Sequence, residues 1–253
     1  MPTIEIDRLN INYDLKGSGL SVVLVHGHGG SSRFYGSLAG RLRNHYTVLT
    51  YDQRGYGLTD KPLDQPYSTE LWAEDLYRLL TELSIKETVI GGHSMGGRVC
   101  AAFAASHPTM TTGLMMFNTT WFGSNPKAAD EIERSIPKIE MEGMTGAPEF
   151  SRLDTGGKQR MLSNDPKSYA LGAKAVARDF RDQTRDNILD KIECPTLILN
   201  GDRDSAPLEG AIKSYERIKN SRLAVIPGSG HYSLLEKEEI CAAIIIDFLQ
   251  DIN

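Results

Sequence analysis

Cysteine is scarce in this chain. Cys100, Cys194 and Cys241 are odd in number and far apart, so no disulfide framework is expected and the usage fits a reducing compartment. Long apolar runs are missing as well: stretches such as 22–25 and 244–246 fall far below the roughly 20 residues that span a bilayer. No surplus of positive charge exists, with 28 Lys and Arg against 33 Asp and Glu and a net charge of −5. Such a surface offers no polybasic footprint to a nucleic acid and no attraction to an anionic membrane, so neither is an expected partner. Glycine, at 24 residues, is too sparse for a collagen-like chain, and no repeat recurs that would mark a solenoid. The opening Met1-Pro2-Thr3-Ile4-Glu5-Ile6-Asp7 holds no basic segment leading into an apolar one. No signal peptide is therefore expected, and the cytoplasm is the expected location.

What is present is the make-up of a folded globular protein. At 40% hydrophobic and 24% charged, the chain has too much apolar side chain for intrinsic disorder. Ile4 and Ile6, then Leu9, Ile11, Tyr13 and Leu15, alternate with polar residues on either side of Asp7-Arg8, the pattern of an antiparallel hairpin with one wet face. Residues 21–26 form a continuous apolar run, the mark of a strand buried on both faces, and similar runs stand at 46–51, 88–92, 114–117, 196–200 and 223–227. Helical patterns lie between them. Ser68 is placed to cap a helix, with Tyr67 and Trp72 stapling its first turn and Leu76, Leu79, Leu80 and Leu83 forming its apolar face. Near the C-terminus Ile240, Ile244, Phe248 and Ile252 give another stripe. Strands alternating with helices predict an α/β fold: a mostly parallel, doubly wound sheet, covered on both faces, with an N-terminal antiparallel hairpin.

The stretch 119–191 breaks that rhythm, with helical patterns as at 127–139 and 168–182 but no strand-like run. A helical cap insertion fits best, dividing the chain into a core of 1–118 and 192–253 and a lid of 119–191; two more crossover helices of the sheet are the plainer alternative.

The sharpest chemical signal is Gly92-His93-Ser94-Met95-Gly96-Gly97, between a buried run and a helix-compatible stretch at 98–106. A strand that turns sharply into a helix strains its central residue, needs glycine two positions either side, and lifts the Ser94 hydroxyl clear at the positive end of the helix. A serine needs a base. Of the six histidines, His231 is best placed, in a glycine-flanked loop after the run 223–227, where catalytic groups gather in open α/β sheets. The imidazole in turn needs a carboxylate. Gly201-Asp202-Arg203-Asp204 ends another strand, and Asp204 is chosen over Asp202 because the acid nearer the strand end more often shapes the turn. Asn118 ends a third strand, but an amide cannot stabilise imidazolium. His93, beside the nucleophile, is expected to point away from it. Acyl transfer also needs oxyanion donors, for which the backbone N–H groups of Met95 and His28 are the candidates. His26 and His28 could be read as a metal pair, yet no further His or Asp cluster lies near them; no metal and no cofactor are expected.

These residues resemble the α/β-hydrolase superfamily over nearly the whole chain: His26-Gly27, Asp52-Gln53-Arg54-Gly55-Tyr56-Gly57, Gly92–Gly97, Gly201–Asp204 and Gly230-His231 match in that order. The resemblance implies that the stretch around Arg54 is structural and that a helical cap lies over the site. Serine at the elbow argues against the branches that use an aspartate nucleophile, the haloalkane dehalogenases and epoxide hydrolases. The chain is similar to small carboxylesterases and enol-lactonases. Carbon–carbon bond hydrolases usually carry tryptophan after the base, where this chain has Tyr232; cofactor-free perhydrolases share the same triad. The expected activity is therefore hydrolysis of a small-molecule ester or lactone by a monomer or homodimer. Trp121, Phe122 and Tyr232 are the expected substrate-binding residues, and Met141, Met144, Phe150, Met161 and Phe180 serve as further walls or as filling of the cap. A ligand sensor built on the same fold is the alternative from another class.

Overall fold

The computed structural model of the chain describes residues 2–119, 125–148, 150–153, 155–182, 184–204 and 208–252. In chain order its strands are β1 (Thr3–Ile6), β2 (Leu9–Lys16), β3 (Ser21–Val25), β4 (Thr47–Tyr51), β5 (Thr88–His93), β6 (Thr111–Phe117), β7 (Thr196–Gly201) and β8 (Ser221–Ile226). The helices are α1 (Gly36–Leu42), α2 (Thr69–Glu82), α3 (Met95–Ser106), α4 (Pro126–Glu142), α5 (Thr155–Leu162), α6 (Pro166–Arg181), α7 (Leu208–Arg217), α8 (Ser233–Glu236) and α9 (Glu238–Gln250).

The strands form one sheet in the order β1-β2-β4-β3-β5-β6-β7-β8. β1 and β2 pair antiparallel, as do β2 and β4, and every later pairing is parallel. The expected hairpin is there, turned by Asp7 at φ 46° and Arg8 at φ 66°, the two positive dihedrals whose twist suits a short antiparallel connection.

The continuous apolar runs have a simple cause. Successive side chains of a strand point to opposite faces, and here both faces are covered. Val23, Val25, Ile90, Leu114 and Ile198 pack with Leu76, Leu79, Val99 and Phe103 of α2 and α3. Val22, Leu24, Met115, Phe117 and Leu197 pack instead with Leu38 and Leu42 of α1 and Ile245 and Phe248 of α9. Ser68 caps α2 as expected, its Oγ accepting from the Leu71 N–H at 3.1 Å, while the Tyr67 and Trp72 rings meet at 5.8 Å.

The C-terminal stripe is shifted. α9 buries Cys241, Ala242, Ile245, Phe248 and Leu249, whereas Ile240 is half exposed and Ile244 and Ile252 are only partly covered. A helix this apolar carries more than one candidate stripe, and contact with the sheet selects the one beginning a residue later.

Between β6 and β7 the chain makes α4, α5 and α6, with no strand among the described residues. α4 and α6 share small apolar centres, one of Ile136, Ala170 and Ala173, another of Ile139, Met144, Ala147 and Tyr169. α6 is held to the sheet layer by Asp179, whose carboxylate accepts from Thr69 Oγ1 of α2 at 2.6 Å and pairs with Arg185 Nε at 2.9 Å.

Candidate active site

β5 ends at His93 and α3 begins at Met95, so the chain reverses on one residue, Ser94, at φ 54° and ψ −119°. Side chains rarely tolerate that backbone conformation. It is held by the Ser94 N–H donating to Phe117 O at 2.9 Å and the Gly97 N–H donating to Ser94 O at 3.0 Å. A Cβ on Gly92 would strike the Gly96 carbonyl, and one on Gly96 would strike the carbonyl of Val25. Those two glycines are required by close approach, as the sequence pattern predicts.

The neighbouring strands end level with this turn. β6 stops at Phe117, paired with His93, and the Asn118 N–H continues the ladder to Leu199 O at 2.8 Å. β7 and β8 run side by side to Gly201 and Ile226. The segments that follow each strand therefore meet at one edge of the sheet, the usual place for chemistry in such a fold.

There the structure brings Asp204 and His231 together: His231 Nδ1 lies 2.9 Å from Asp204 Oδ1 and 3.2 Å from Oδ2, and the Asp204 side chain is sealed from solvent. A carboxylate only accepts, so Nδ1 carries the proton and Nε2 keeps its lone pair, the tautomer a general base needs. Asp202 does something else. Its carboxylate accepts from the Ser229 N–H at 3.2 Å and shapes the turn.

Asn118, dismissed in the sequence as an acid, acts as a donor: Nδ2 reaches Asp204 Oδ2 at 2.8 Å and Gly230 O at 3.0 Å. His93 also has a partner that the sequence did not signal. Its Nε2–H donates to His231 O at 2.7 Å, and its ring is enclosed by Phe34, Tyr232 and His231 at 4.6, 5.6 and 4.8 Å between centroids. One side chain thus ties the Ser94 turn to the loop of His231.

Burial, reinforced by the neighbouring His231, lowers the His93 pKa to about 3. The unfolded chain takes up a proton near pH 6.5 and the folded chain does not. The stability from this group is therefore complete above pH 6.5 and is lost as pH falls towards 3, with a slope of about 1.4 kcal/mol per pH unit. Urea unfolding between pH 6.5 and 4 is expected to show a shallower pH slope in His93→Asn than in the wild type. Equal slopes would remove His93 as the source.

Of the two oxyanion candidates, Met95 opens α3, where a helix leaves its first N–H groups without intrahelical partners. His28 lies on the loop after β3. Its imidazole turns towards α6, with Nε2 3.1 Å from Tyr169 O and the rings 4.1 Å apart, and Asn164 Nδ2 donates to Gly29 O at 3.0 Å. α6 thus rests on the loop that carries the His28 N–H. Tyr56 reaches Met95 Sδ at 4.0 Å from the other side.

His26 is structural. Nδ1 donates to Gly27 O at 2.8 Å, while Nε2 accepts from the Gln53 N–H at 3.0 Å. Both ring nitrogens are engaged, so the metal-pair alternative has no lone pair to offer from this residue. Burial lowers the His26 pKa and keeps the ring neutral. Arg54, which the resemblance assigns to structure, forms a buried two-point pair with Asp75 at 2.7 and 2.6 Å.

Tyr232 stands half exposed at the rim, stacked on His93. Trp121 and Phe122 lie outside the described residues. Met144 is buried in the α4–α6 layer with Phe150 and Met161 against it, Phe180 lies 4.0 Å beneath the Arg98 guanidinium, and Met141 is exposed.

A doubly wound sheet with a strained serine at a strand-to-helix turn and an Asp–His pair on the neighbouring loops defines a class of hydrolytic fold. The chain belongs to the alpha/beta hydrolase family, whose model matches residues 22–244. It is 30% identical over 271 residues to a Synechocystis sp. protein provisionally named a non-heme chloroperoxidase, covering 96% of this chain and 95% of that one. Among solved structures it is similar to a thermophilic esterase from Thermogutta terrifontis, with TM-score 0.86, 27% identity and coverage of 96% of this chain and 94% of that one. The enol-lactonase from Burkholderia xenovorans shares the fold, with TM-score 0.86 at 22% identity over 98% of this chain and all (100%) of that one.

Proposed function

We propose that this protein is a serine hydrolase that cleaves carboxylic esters or lactones of small molecules through an acyl-enzyme. The observation that carries the reading is the 2.9 Å contact between His231 Nδ1 and the sealed Asp204 carboxylate, at the same sheet edge as the strained Ser94. The esterase from Thermogutta terrifontis, at 27% identity, supports it.

In this mechanism Ser94 Oγ attacks the ester carbonyl carbon while His231 Nε2 takes its proton, and Asp204 stabilises the imidazolium. The N–H groups of Met95 and His28 hold the tetrahedral oxyanion. The imidazolium then protonates the leaving alkoxide, and the acyl group stays on Ser94. His231 next takes a proton from water, the hydroxide attacks the acyl carbon, and collapse of the second tetrahedral species returns the proton to Ser94 and frees the acid. No cofactor or metal enters. The segment 119–191 acts as the cap over this site, with α6 resting on the oxyanion loop. The scarcity of cysteine supports a cytoplasmic setting.

The test is turnover on panels of short p-nitrophenyl esters and small lactones, with a β-diketone and a peracid assay alongside. Steady cycling on esters or lactones is the expected result. Preferred β-diketone cleavage or peracid formation would move the activity to a carbon–carbon hydrolase or a perhydrolase, and a burst followed by arrest would favour a sensor.

A further inference from the structure

The loop that carries His231 is short, rich in glycine and solvent-facing, a poor platform for a base that must keep its place. Its main-chain groups are nonetheless gripped from three directions. Gly230 O accepts from Asn118 Nδ2 at 3.0 Å and from Ser233 Oγ at 3.0 Å. His231 O accepts from His93 Nε2 at 2.7 Å. The N–H groups on the two sides of His231 both go to one carboxylate: Gly230 N–H to Glu236 Oε2 at 2.7 Å and Tyr232 N–H to Glu236 Oε1 at 3.3 Å.

Glu236 is the outermost of these groups. It is exposed at the end of α8, folds back over the helix start, and touches neither Asp204 nor Ser94 in any contact described above. A surface glutamate that served only the charge balance would have no reason to engage the N–H groups of both neighbours of one histidine. Charge-assisted bonds to a carboxylate are about twice as strong as neutral ones, and two of them on alternate residues fix the direction in which the intervening side chain leaves the backbone.

We propose that Glu236 is a positioning residue for His231: it clamps the N–H groups of the residues before and after it, Gly230 and Tyr232, from the solvent side, while His93 and Asn118 clamp the loop from within. The inference rests on the reading of His231 as the general base, and it adds a residue five positions further on that sets the aim of the imidazole without touching the substrate. Misplacement of a catalytic group by about 1 Å can cost up to about a hundredfold in rate, so a clamp of this kind acts on turnover far more than on binding.

The experiment compares wild type with Glu236→Ala, Glu236→Gln and Glu236→Asp, well below the melting temperature of each. Two readouts are used: the rate of Ser94 labelling by a fluorophosphonate, and kcat and KM on p-nitrophenyl acetate. Glu236→Ala is expected to lose roughly tenfold or more in labelling rate and in kcat, with KM within about twofold. Glu236→Gln keeps one acceptor oxygen but turns its NH2 towards the other N–H, so it is expected to fall between wild type and alanine. Glu236→Asp is one methylene short of spanning both N–H groups and is expected to resemble alanine, which preserves the test if the alanine variant does not fold. Wild-type rates in Glu236→Ala or, should it not fold, in Glu236→Asp would overturn the proposal. Wild-type rates in Glu236→Gln would also overturn it, since removing one of the two contacts would then cost nothing. Failure of the wild type itself to be labelled would be distinct, striking the general-base reading before any variant is compared.

Discussion

Ser94→Ala is expected to lower ester hydrolysis by a factor of about a thousand or more while leaving the fold and its urea midpoint nearly unchanged. The reasons are local. The position is fixed by Ser94 main-chain bonds to Phe117 and Gly97, neither of which involves the hydroxyl, so alanine keeps the turn. Removing a triad member leaves only the catalysis of oxyanion donors and binding, a small remnant of the whole. The strained φ of 54° remains in the alanine protein, and no large gain or loss of stability is expected. Activity retained above about a thousandth of wild type on p-nitrophenyl acetate would move the nucleophile elsewhere.

Asp204→Asn carries the second large effect, on the order of ten-thousandfold in kcat. An amide can present its N–H to His231 Nδ1, which drives the ring proton to Nε2 and leaves no lone pair facing the serine. It also offers no charge to balance the imidazolium. Asp202→Asn should cost less than about tenfold, because an amide oxygen can still accept from the Ser229 N–H at little net loss. Steady-state kinetics on the two variants side by side decides the matter. The reverse ranking would reassign the acid to Asp202.

The contrast between those two aspartates shows what could be read without coordinates. Both follow β7, and the choice between them came from position alone: the first residue past a strand closes the turn, the later one can reach a neighbouring loop. The elbow was legible for a related reason, since glycines two positions either side of Ser94 answer to collisions that involve only local backbone and one adjacent strand. Sheet architecture was equally plain, because strands covered on both faces have no freedom to hide their apolar pattern.

Other features had no local signature. His93 meets the His231 carbonyl across 138 positions, and Asn118 meets Gly230 across 112; such contacts exist only once the strands are set side by side. Glu236 lies close to His231 in sequence, yet a glutamate at the end of a short helix looks the same whether it serves the helix or the loop of His231. The C-terminal helix misled in another way, since its run of apolar residues supports more than one stripe and the sheet decided between them. Within the helical segment, apolar residues that fill a small core and those that wall a pocket share one pattern, which is why Met144, Phe150 and Met161 could not be sorted beforehand.

In the proposed mechanism His231, held by Asp204, activates Ser94. Its most direct measurement is exposure of the purified wild-type protein and of His231→Ala to a fluorophosphonate, with the adduct mapped by mass spectrometry. One adduct per wild-type chain is expected, on Ser94, with a rate slower by orders of magnitude in His231→Ala. An unlabelled wild type, an adduct on another residue, or equal rates in the two proteins would contradict it.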